Sequence, residues 1–407
     1  MRQRHFPRFL VLRTSVANGW MQFVGLALGC GALLALNGTL ERTAVAAERQ
    51  DAGKAQPEAP RSPRTPDPLP PAFSVGAVAE FVITGSEFGE PGESFVAARG
   101  DGTFENGFNI FGLDIVDGVD VADLDRDGDL DFLIADGRFG DVYLYRNLGE
   151  GSFAAERIAT DVSTRVSTVL GHTTNLRIAD FNGDGLADFV LGDARIDRGT
   201  KIYLQNPSGK FRVSDVLDLS WNDAPFGEEG PLVLGVAVGD LNGDGLVDIA
   251  MLGYEGEGAG EVRLYLGQGQ GHFSRPLMLF NLEQDFGFNL NATGLAAFDL
   301  ESDGDLDLVV GAGDGNHYVY VNDGTAAFTK PAGPAFVVGG QSGIDAYDAD
   351  HDGDHDLVVV HVAASQLFYV ENLGGTLASP VAAAPVAGFG VAVGAPPIAL
   401  TASPASR

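Results

Sequence analysis

Hydrophobic residues recur along the chain in an order that predicts β-strands on both sides of acidic loops. In five segments, a short stretch alternates apolar and polar residues, as at Val119 and Val121, and an acidic loop follows. An unbroken apolar run, such as Phe132 to Ala135, comes after each loop. The alternation has the period of a half-buried strand, and the apolar run is typical of a fully buried strand.

A second pattern follows each apolar run, in which an alternating stretch leads to a glycine turn. VYLYRNLGEGSF, beginning at Val142, and VRLYLGQGQGHF, beginning at Val262, are two examples. They predict a third strand, a hairpin turn and a fourth strand. Such units repeat every 49 to 60 residues without a long helical pattern. They therefore predict an all-β fold, a β-propeller of four-stranded antiparallel blades.

The number of blades is predicted from two partial units at the ends of the repeat array. Residues 94–104 have the third-strand, turn and fourth-strand pattern without an acidic loop. Residues 388–395 resemble a first strand that lacks the rest of its unit. Pairing of the C-terminal strand with the N-terminal unit would close a ring. We therefore predict six blades, with seven as the alternative.

The acidic loops have the composition of metal sites. All five follow D-x-[D/N/E]-x-D-G-x-x-D and are named loop 1 to loop 5 in chain order. Side-chain oxygens at positions one, three, five and nine of a tight turn can converge on one cation, which favours Ca²⁺ before Mg²⁺. Thiolates and histidines are absent from these positions, which disfavours zinc and copper. Position twelve is apolar where an EF-hand has glutamate, so the loops are predicted to join strands.

The loops and the strands around them resemble the FG-GAP or VCBS repeats of integrin-alpha-type β-propellers, over residues 73–395. The resemblance implies that each loop joins the first and second strands of a blade and binds calcium on one rim. It also implies that position seven contributes a backbone carbonyl. The implied ligands are Asp123, Asp125, Asp127, Asp129 and Asp131 in loop 1; Asp180, Asn182, Asp184, Leu186 and Asp188 in loop 2; Asp240, Asn242, Asp244, Leu246 and Asp248 in loop 3; Asp299, Glu301, Asp303, Asp305 and Asp307 in loop 4; and Asp348, Asp350, Asp352, Asp354 and Asp356 in loop 5.

Two departures from the repeat pattern change the expected metal sites. Glu301 is longer than the Asp or Asn at position three of the other loops, so the geometry of loop 4 is expected to differ. The N-terminal unit has no acidic loop, so we predict five calcium sites and not one per blade. Charge alone predicts tighter binding by loop 1 than by loops 2 and 3, where Asn182 and Asn242 replace a carboxylate.

The chain ends have the patterns of export and of unfolded segments. Residues 1–46 combine a basic start, an apolar run and a small-residue cleavage site, which predicts a secretory signal peptide. An uncleaved anchor or a lipoprotein attached through Cys30 is the alternative. Residues 47–72 are predicted to be a Pro-rich disordered linker, and 396–407 a disordered tail. Cys30 is the single cysteine, so the exported domain is expected to form no disulfide.

Composition narrows the functional classes. The formal net charge of −31 disfavours nucleic-acid binding, and 45% hydrophobic residues are too many for a disordered acidic chain. The motifs of nucleophilic hydrolases, zinc proteases and phosphate loops are absent. We therefore predict a secreted, cell-surface or periplasmic, monomeric interaction module that binds an extracellular protein or polysaccharide without entering the membrane. The alternative is a calcium-dependent, polysaccharide-active enzyme on the same scaffold. Two long inserts, 221–231 and 281–291, are candidates for specificity.

Overall fold

Strands account for nearly all of the regular structure. The computed structural model describes residues 73–74, 81–84, 93–105, 108–110, 116–136, 141–159, 176–192, 200–214, 232–254, 260–286, 292, 294–340, 342–361, 366–385 and 391–394. The predicted signal peptide, linker and C-terminal tail, together with the 221–231 insert, lie outside these residues.

The first twelve strands are β1 (Phe73–Ser74), β2 (Phe81–Thr84), β3 (Glu93–Ala97), β4 (Phe108–Ile110), β5 (Val116–Ala122), β6 (Asp131–Asp136), β7 (Asp141–Asn147), β8 (Ser152–Ala159), β9 (Leu176–Ala179), β10 (Asp188–Leu191), β11 (Lys201–Gln205) and β12 (Phe211–Val213). The remaining elements are β13 (Leu232–Gly239), β14 (Asp248–Tyr254), β15 (Gly260–Tyr265), β16 (Leu277–Asn281), the short helix α1 (Leu282–Phe286), β17 (Gly294–Phe298), β18 (Asp307–Gly311), β19 (Asn316–Tyr320), β20 (Phe336–Val337), β21 (Ser342–Tyr347), β22 (Asp356–His361), β23 (Gln366–Val370), β24 (Val381–Pro385) and β25 (Val391–Gly394).

The strands of the described residues form six antiparallel sheets, five of four strands and one of five. Sheet 1 contains β5 to β8, with β1 added to its outer edge. Sheets 2, 3, 4 and 5 contain β9 to β12, β13 to β16, β17 to β20 and β21 to β24, and the closing sheet has the order β25, β2, β3, β4. The prediction of an all-β propeller with four-stranded antiparallel blades is confirmed. The six sheets use every strand of the described residues, so none of these remains for a seventh sheet.

The innermost strands contact one another in a closed order. β5 contacts β9, and the series continues through β13, β17 and β21 to β25, which contacts β5 again. β25 also pairs with β2, with Phe81 opposite Gly394 and Thr84 opposite Val391. This is the pairing of C-terminal and N-terminal strands that the sequence predicts, and it places both chain segments in one closing sheet.

Apolar cores lie between successive sheets. Leu133 and Leu144 of sheet 1 pack with Phe189 and Leu191 of sheet 2. Corresponding clusters join sheet 2 to sheet 3, sheet 3 to sheet 4, sheet 4 to sheet 5, and sheet 5 to the closing sheet. The unbroken apolar runs supply these cores because both faces of a second strand are covered by neighbouring sheets.

Candidate functional site

The five acidic loops join the first strand of a sheet to the second, as predicted. Loop 1 runs from the end of β5 to the start of β6, and loops 2 to 5 occupy the same place in sheets 2 to 5. In each loop the aspartate at position nine is the first residue of the second strand. The sequence repeat is therefore also a structural repeat, and the five loops can be compared position by position.

Carboxylates at positions one and five fix the path of each loop. The backbone N–H of the position-six glycine donates to Oδ2 of the position-one aspartate at 2.6 to 3.2 Å in all five loops. The N–H of position seven donates to Oδ1 of the position-five aspartate at 2.8 to 3.2 Å. These hydrogen bonds hold the acids in a turn without the help of a ligand.

Two positions of each loop have left-handed backbone. Position six has φ between +77° and +101° in the five loops, which explains its glycine. Position four is also left-handed, although loops 1, 4 and 5 have Arg126, Ser302 and His351 there, with φ of 65°, 57° and 63°. The glycines at position four of loops 2 and 3, Gly183 and Gly243, are the sequence signal of this conformation.

The position-nine aspartates have a structural role that the motif does not reveal. They are between 0% and 1% exposed: Asp131, Asp188, Asp248, Asp307 and Asp356. In each, Oδ2 accepts the N–H of position two at 2.9 to 3.1 Å. Oδ1 accepts an N–H just after or at the end of the third strand at 2.7 to 2.8 Å. Each carboxylate therefore ties the loop to the third strand of its own sheet.

Burial makes these carboxylates costly to ionise. It raises the pKa of Asp131 and Asp188 to about 7, and the pKa of Asp248 and Asp356 to about 6. The two backbone N–H donors oppose this rise, whereas the acids of the same loop add to it. A cation among the acids would remove part of the repulsion.

The donor sets of loops 1 and 5 fit a hard cation. One carboxylate oxygen from each of Asp123, Asp125 and Asp131 lies within 4.8 Å of the others, and Asp348, Asp350 and Asp356 form the same cluster in loop 5. Oδ1 of Asp348 is buried and accepts no hydrogen bond. A buried oxygen without a donor, beside two further carboxylates, is a suitable ligand for Ca²⁺.

The position-three glutamate of loop 4, Glu301, interacts directly with the position-nine aspartate. Its side chain reaches the position-nine aspartate and adds to the effect of burial, which raises the pKa of Asp307 to about 7. A cation between the two carboxylates would relieve their mutual repulsion. Position three therefore lies near position nine in loop 4, as it does in loops 1 and 5.

An arginine on the third strand of sheet 1 pairs with an acid of loop 1. Nη1 of Arg146, near the end of β7, lies 2.7 Å from Oδ2 of Asp125 at position three. Because Asn147 and Asn372 donate the same backbone N–H in sheets 1 and 5, the residue equivalent to Arg146 in sheet 5 is Glu371. The two equivalent positions therefore carry opposite charges, which a count of loop carboxylates alone does not reveal.

Side-chain amides connect neighbouring sheets at the level of the loops. Nδ2 of Asn372 in sheet 5 donates to the carbonyl of Leu300 in loop 4 at 2.8 Å. Asn322 makes the same bond to Leu241 in loop 3, and Gln205 to Leu124 in loop 1, each at 2.9 Å. These amides clamp one loop to the next sheet.

Replacing Asn372 with alanine should destabilise the protein by about 1–3 kcal/mol, because the buried carbonyl of Leu300 loses its donor. Urea unfolding measures the change, and Lys210→Ala, at an exposed position, is the control. Equal losses in both variants would contradict the role of the clamp.

A second charged cluster lies at the centre of the ring. Arg177 on β9 is 3.5 Å from Asp345 on β21 and 3.9 Å from Asp120 on β5. Two innermost strands separate β9 from β21 in either direction, so Arg177 reaches across the ring. Burial raises the pKa of Asp120 to about 7 despite the opposing charge of Arg177.

Comparison with known proteins agrees with this repeat geometry. The family model of the FG-GAP-like repeat matches residues 123–191, 180–251, 240–310 and 299–359, each match running from one acidic loop through the next. Together the matches span more than half of the chain. The chain belongs to the FG-GAP-like repeat family. The matches include the strands between the acidic loops as well as the loops themselves.

Individual relatives match parts of this FG-GAP protein. Integrin alpha-IIb of Mus musculus is 32% identical over 164 residues, which cover 36% of this chain and 15% of the integrin. Cartilage acidic protein 1 of Xenopus tropicalis is 28% identical over 186 residues, 45% of this chain and 26% of that protein. The chain thus spans about 15% of the length of the first integrin it matches. A lectin of Agrocybe aegerita, described as recognising non-reducing terminal N-acetylglucosamine, superposes with a TM-score of 0.44 at 22% identity, covering 76% of this chain and 81% of the lectin.

Helices contribute little to the part of the chain that the structure describes. None of those found there has the length and apolar character needed to cross a bilayer.

Proposed function

We propose that this FG-GAP protein is a secreted, calcium-binding propeller that acts as an interaction module for an extracellular protein or polysaccharide. The observation that carries the calcium proposal is the shared geometry of the five loops, together with the unpartnered Oδ1 of Asp348 in loop 5. Five Ca²⁺ ions, one in each loop, would neutralise acids that the fold holds together. We also infer six blades, one for each sheet around the closed order of innermost strands.

Calcium in this position would stabilise the scaffold and perform no chemistry on a substrate. Positions one, three, five and nine would provide side-chain oxygens, and position seven a carbonyl. Bound metal would fix the turn that joins the first two strands of a sheet, since ligands that bind only the folded state stabilise it. The rim of loops and inserts would then remain available to a partner.

The interaction function is tested by a retention panel. The purified chain is passed over immobilised neutral and acidic polysaccharides and extracellular matrix proteins, with calcium and with chelator. We expect calcium-dependent retention of the chain without release of saccharide products. Absence of retention on every surface in calcium would contradict the proposed function.

The cluster at the centre of the ring favours a second candidate, a polysaccharide-active enzyme. Asp120 and Asp345 are two carboxylates that share one arginine, and a carboxyl group with a pKa of about 7 suits acid-base catalysis. However, both side chains are largely buried and already paired with Arg177. Product release by the native chain, lost in Asp120→Asn and retained in the turn variant Asn206→Ala, would establish the enzyme.

Arg146 should weaken calcium binding by loop 1. Replacing it with leucine, the residue found at the equivalent Leu204 and Leu266, removes a positive charge next to Asp125 and should raise the affinity of loop 1 about tenfold. NMR titration with Ca²⁺, following the amide of Gly128 for loop 1 and Gly353 for loop 5, reports each site separately. Arg212→Leu, on an exposed strand, controls for net charge. An unchanged loop 1 affinity would contradict this role.

A further inference from the structure

A small cleft separates the outer edge of sheet 3 from sheet 4. Its volume is about 220 Å³, below the roughly 300–1,000 Å³ of sites for drug-sized ligands. Residues of β16 and α1 form one side, and residues from the end of β19 and the segment after it form the other: Met278, Leu279, Phe280, Asn281, Gln284, Asp285, Tyr320, Phe328 and Lys330. This space suits one ring of a ligand.

The floor of the cleft is a rigid aromatic pair. The rings of Phe280 and Tyr320 stack at 3.7 Å between centroids and 4° between planes, and both residues are buried. In sheet 1 the equivalent Tyr145 stacks on Phe132 of its own sheet, whereas Tyr320 has Leu308 opposite it. A phenylalanine from the neighbouring sheet takes that place, so the cleft is a local feature of this junction.

One wall of the cleft is charged and fixed in place. Oδ2 of Asp285 accepts a hydrogen bond from the Tyr320 hydroxyl at 2.8 Å, and its Oδ1 lies 3.4 Å from Nζ of Lys330. Lys330 also donates to the carbonyl of Asp285 and lies 5.4 Å from the Phe286 ring centroid. The wall thus offers an acceptor and a donor side by side, with the Gln284 amide on the same helix.

Each side of the cleft also contributes an apolar residue. Met278 is 57% exposed although it is a large hydrophobic residue. The ring of Phe328, which packs edge-on against Phe280, is half-buried. The lining of the cleft therefore combines apolar side chains with hydrogen-bonding groups.

We propose that this cleft binds a single neutral sugar residue, such as the end of a glycan chain. A pyranose ring has an apolar C–H face and an edge of hydroxyl groups, and each hydroxyl both donates and accepts hydrogen bonds. Met278 and Phe328 match the face, while Asp285, Lys330 and Gln284 match the edge. A protein partner would need far more contact, about 800 Å² on each side of a stable interface. The inference rests on the proposed interaction function and gives it a location.

Methionine methyl groups provide a direct test. The chain has four methionines; Met1 and Met21 precede the predicted cleavage site, Met251 is fully buried in sheet 3, and Met278 lines the cleft. The full chain labelled with ¹³C-methyl methionine is titrated with methyl glycosides of the common neutral hexoses and N-acetylhexosamines. We expect one or more of these to shift the Met278 signal in a saturable manner and to leave Met251 unchanged.

Variants assign the shift to the cleft. Lys330→Ala should weaken the saccharide about tenfold, as expected for one lost hydrogen bond to a charged group, and Asp285→Asn should weaken it similarly. Lys210→Ala, an exposed lysine of sheet 2, should have no effect. No Met278 shift with any saccharide would overturn the proposal, as would a shift produced only by apolar peptides. If the chain is retained on glycans while Met278 does not move, the cleft proposal fails and the interaction function stands; if no surface retains the chain, the interaction function itself fails.

Discussion

Removal of calcium should lower the melting temperature of this protein substantially, and returned calcium should restore it. A ligand that binds only the folded state stabilises it by about 2.7 kcal/mol per site at a hundredfold excess over Kd. With five sites, the total is on the order of 10 kcal/mol, comparable with the whole stability of an ordinary domain. The physical source is relief of repulsion among the acids of each loop, whose position-nine members are buried.

Calorimetry of the same preparation in excess EGTA, in calcium and in magnesium measures this effect. Magnesium should restore less stability than calcium, because it demands octahedral geometry and gives up water reluctantly. The single cysteine of the chain excludes an intramolecular disulfide as an alternative source of stability. A melting curve unchanged by chelator would contradict the calcium sites.

The second large effect is expected at position nine, and it should not depend on metal. Asp248→Ala removes the acceptor of two backbone N–H groups, those of Leu241 and Gly267. Each unpaired buried donor costs about 1–3 kcal/mol, so the variant should lose roughly 2–6 kcal/mol even in EGTA. Urea unfolding with and without calcium measures the loss.

The control lies in the same loop. Asp244→Ala, at the exposed position five, loses only solvent-exposed hydrogen bonds, so it should lose much less stability than Asp248→Ala in EGTA and more when calcium is present. Asp127→Ala should do the same in loop 1 and leave the fold intact. If Asp248→Ala and Asp244→Ala lose the same amount of stability in chelator, the position-nine carboxylate does not stabilise the fold by tying the loop to the third strand.

Much of the fold could be predicted because its periodicity is local. Alternation before each loop and apolar runs after it specify first and second strands, and the partial units at the two ends specify the pairing of β25 with β2. The acidic motif likewise places the loops between strands. The strands and the loop positions depend on residues that are close together in the sequence, so they can be predicted from it.

The site could be predicted only in part, because the missing contacts are distant in sequence. Arg177 meets Asp345 across the ring although 168 positions separate them. Arg146 reaches Asp125 from the third strand of sheet 1. In sheet 4, Tyr320 has no phenylalanine of its own sheet opposite it, and Phe280 of sheet 3 stacks on it instead. Position nine reads as a ligand in the motif, yet its hydrogen bonds to the third strand appear only once the sheet is built.

The five loops share one backbone turn, and we propose that each binds one Ca²⁺ ion. The most direct measurement is the number of Ca²⁺ ions bound per chain, by native mass spectrometry of the folded protein after dialysis against calcium and again for Asp127→Ala. We expect five ions on the native chain and four on the variant. A chain that binds no calcium, or a variant that binds as many ions as the native chain, would contradict this proposal.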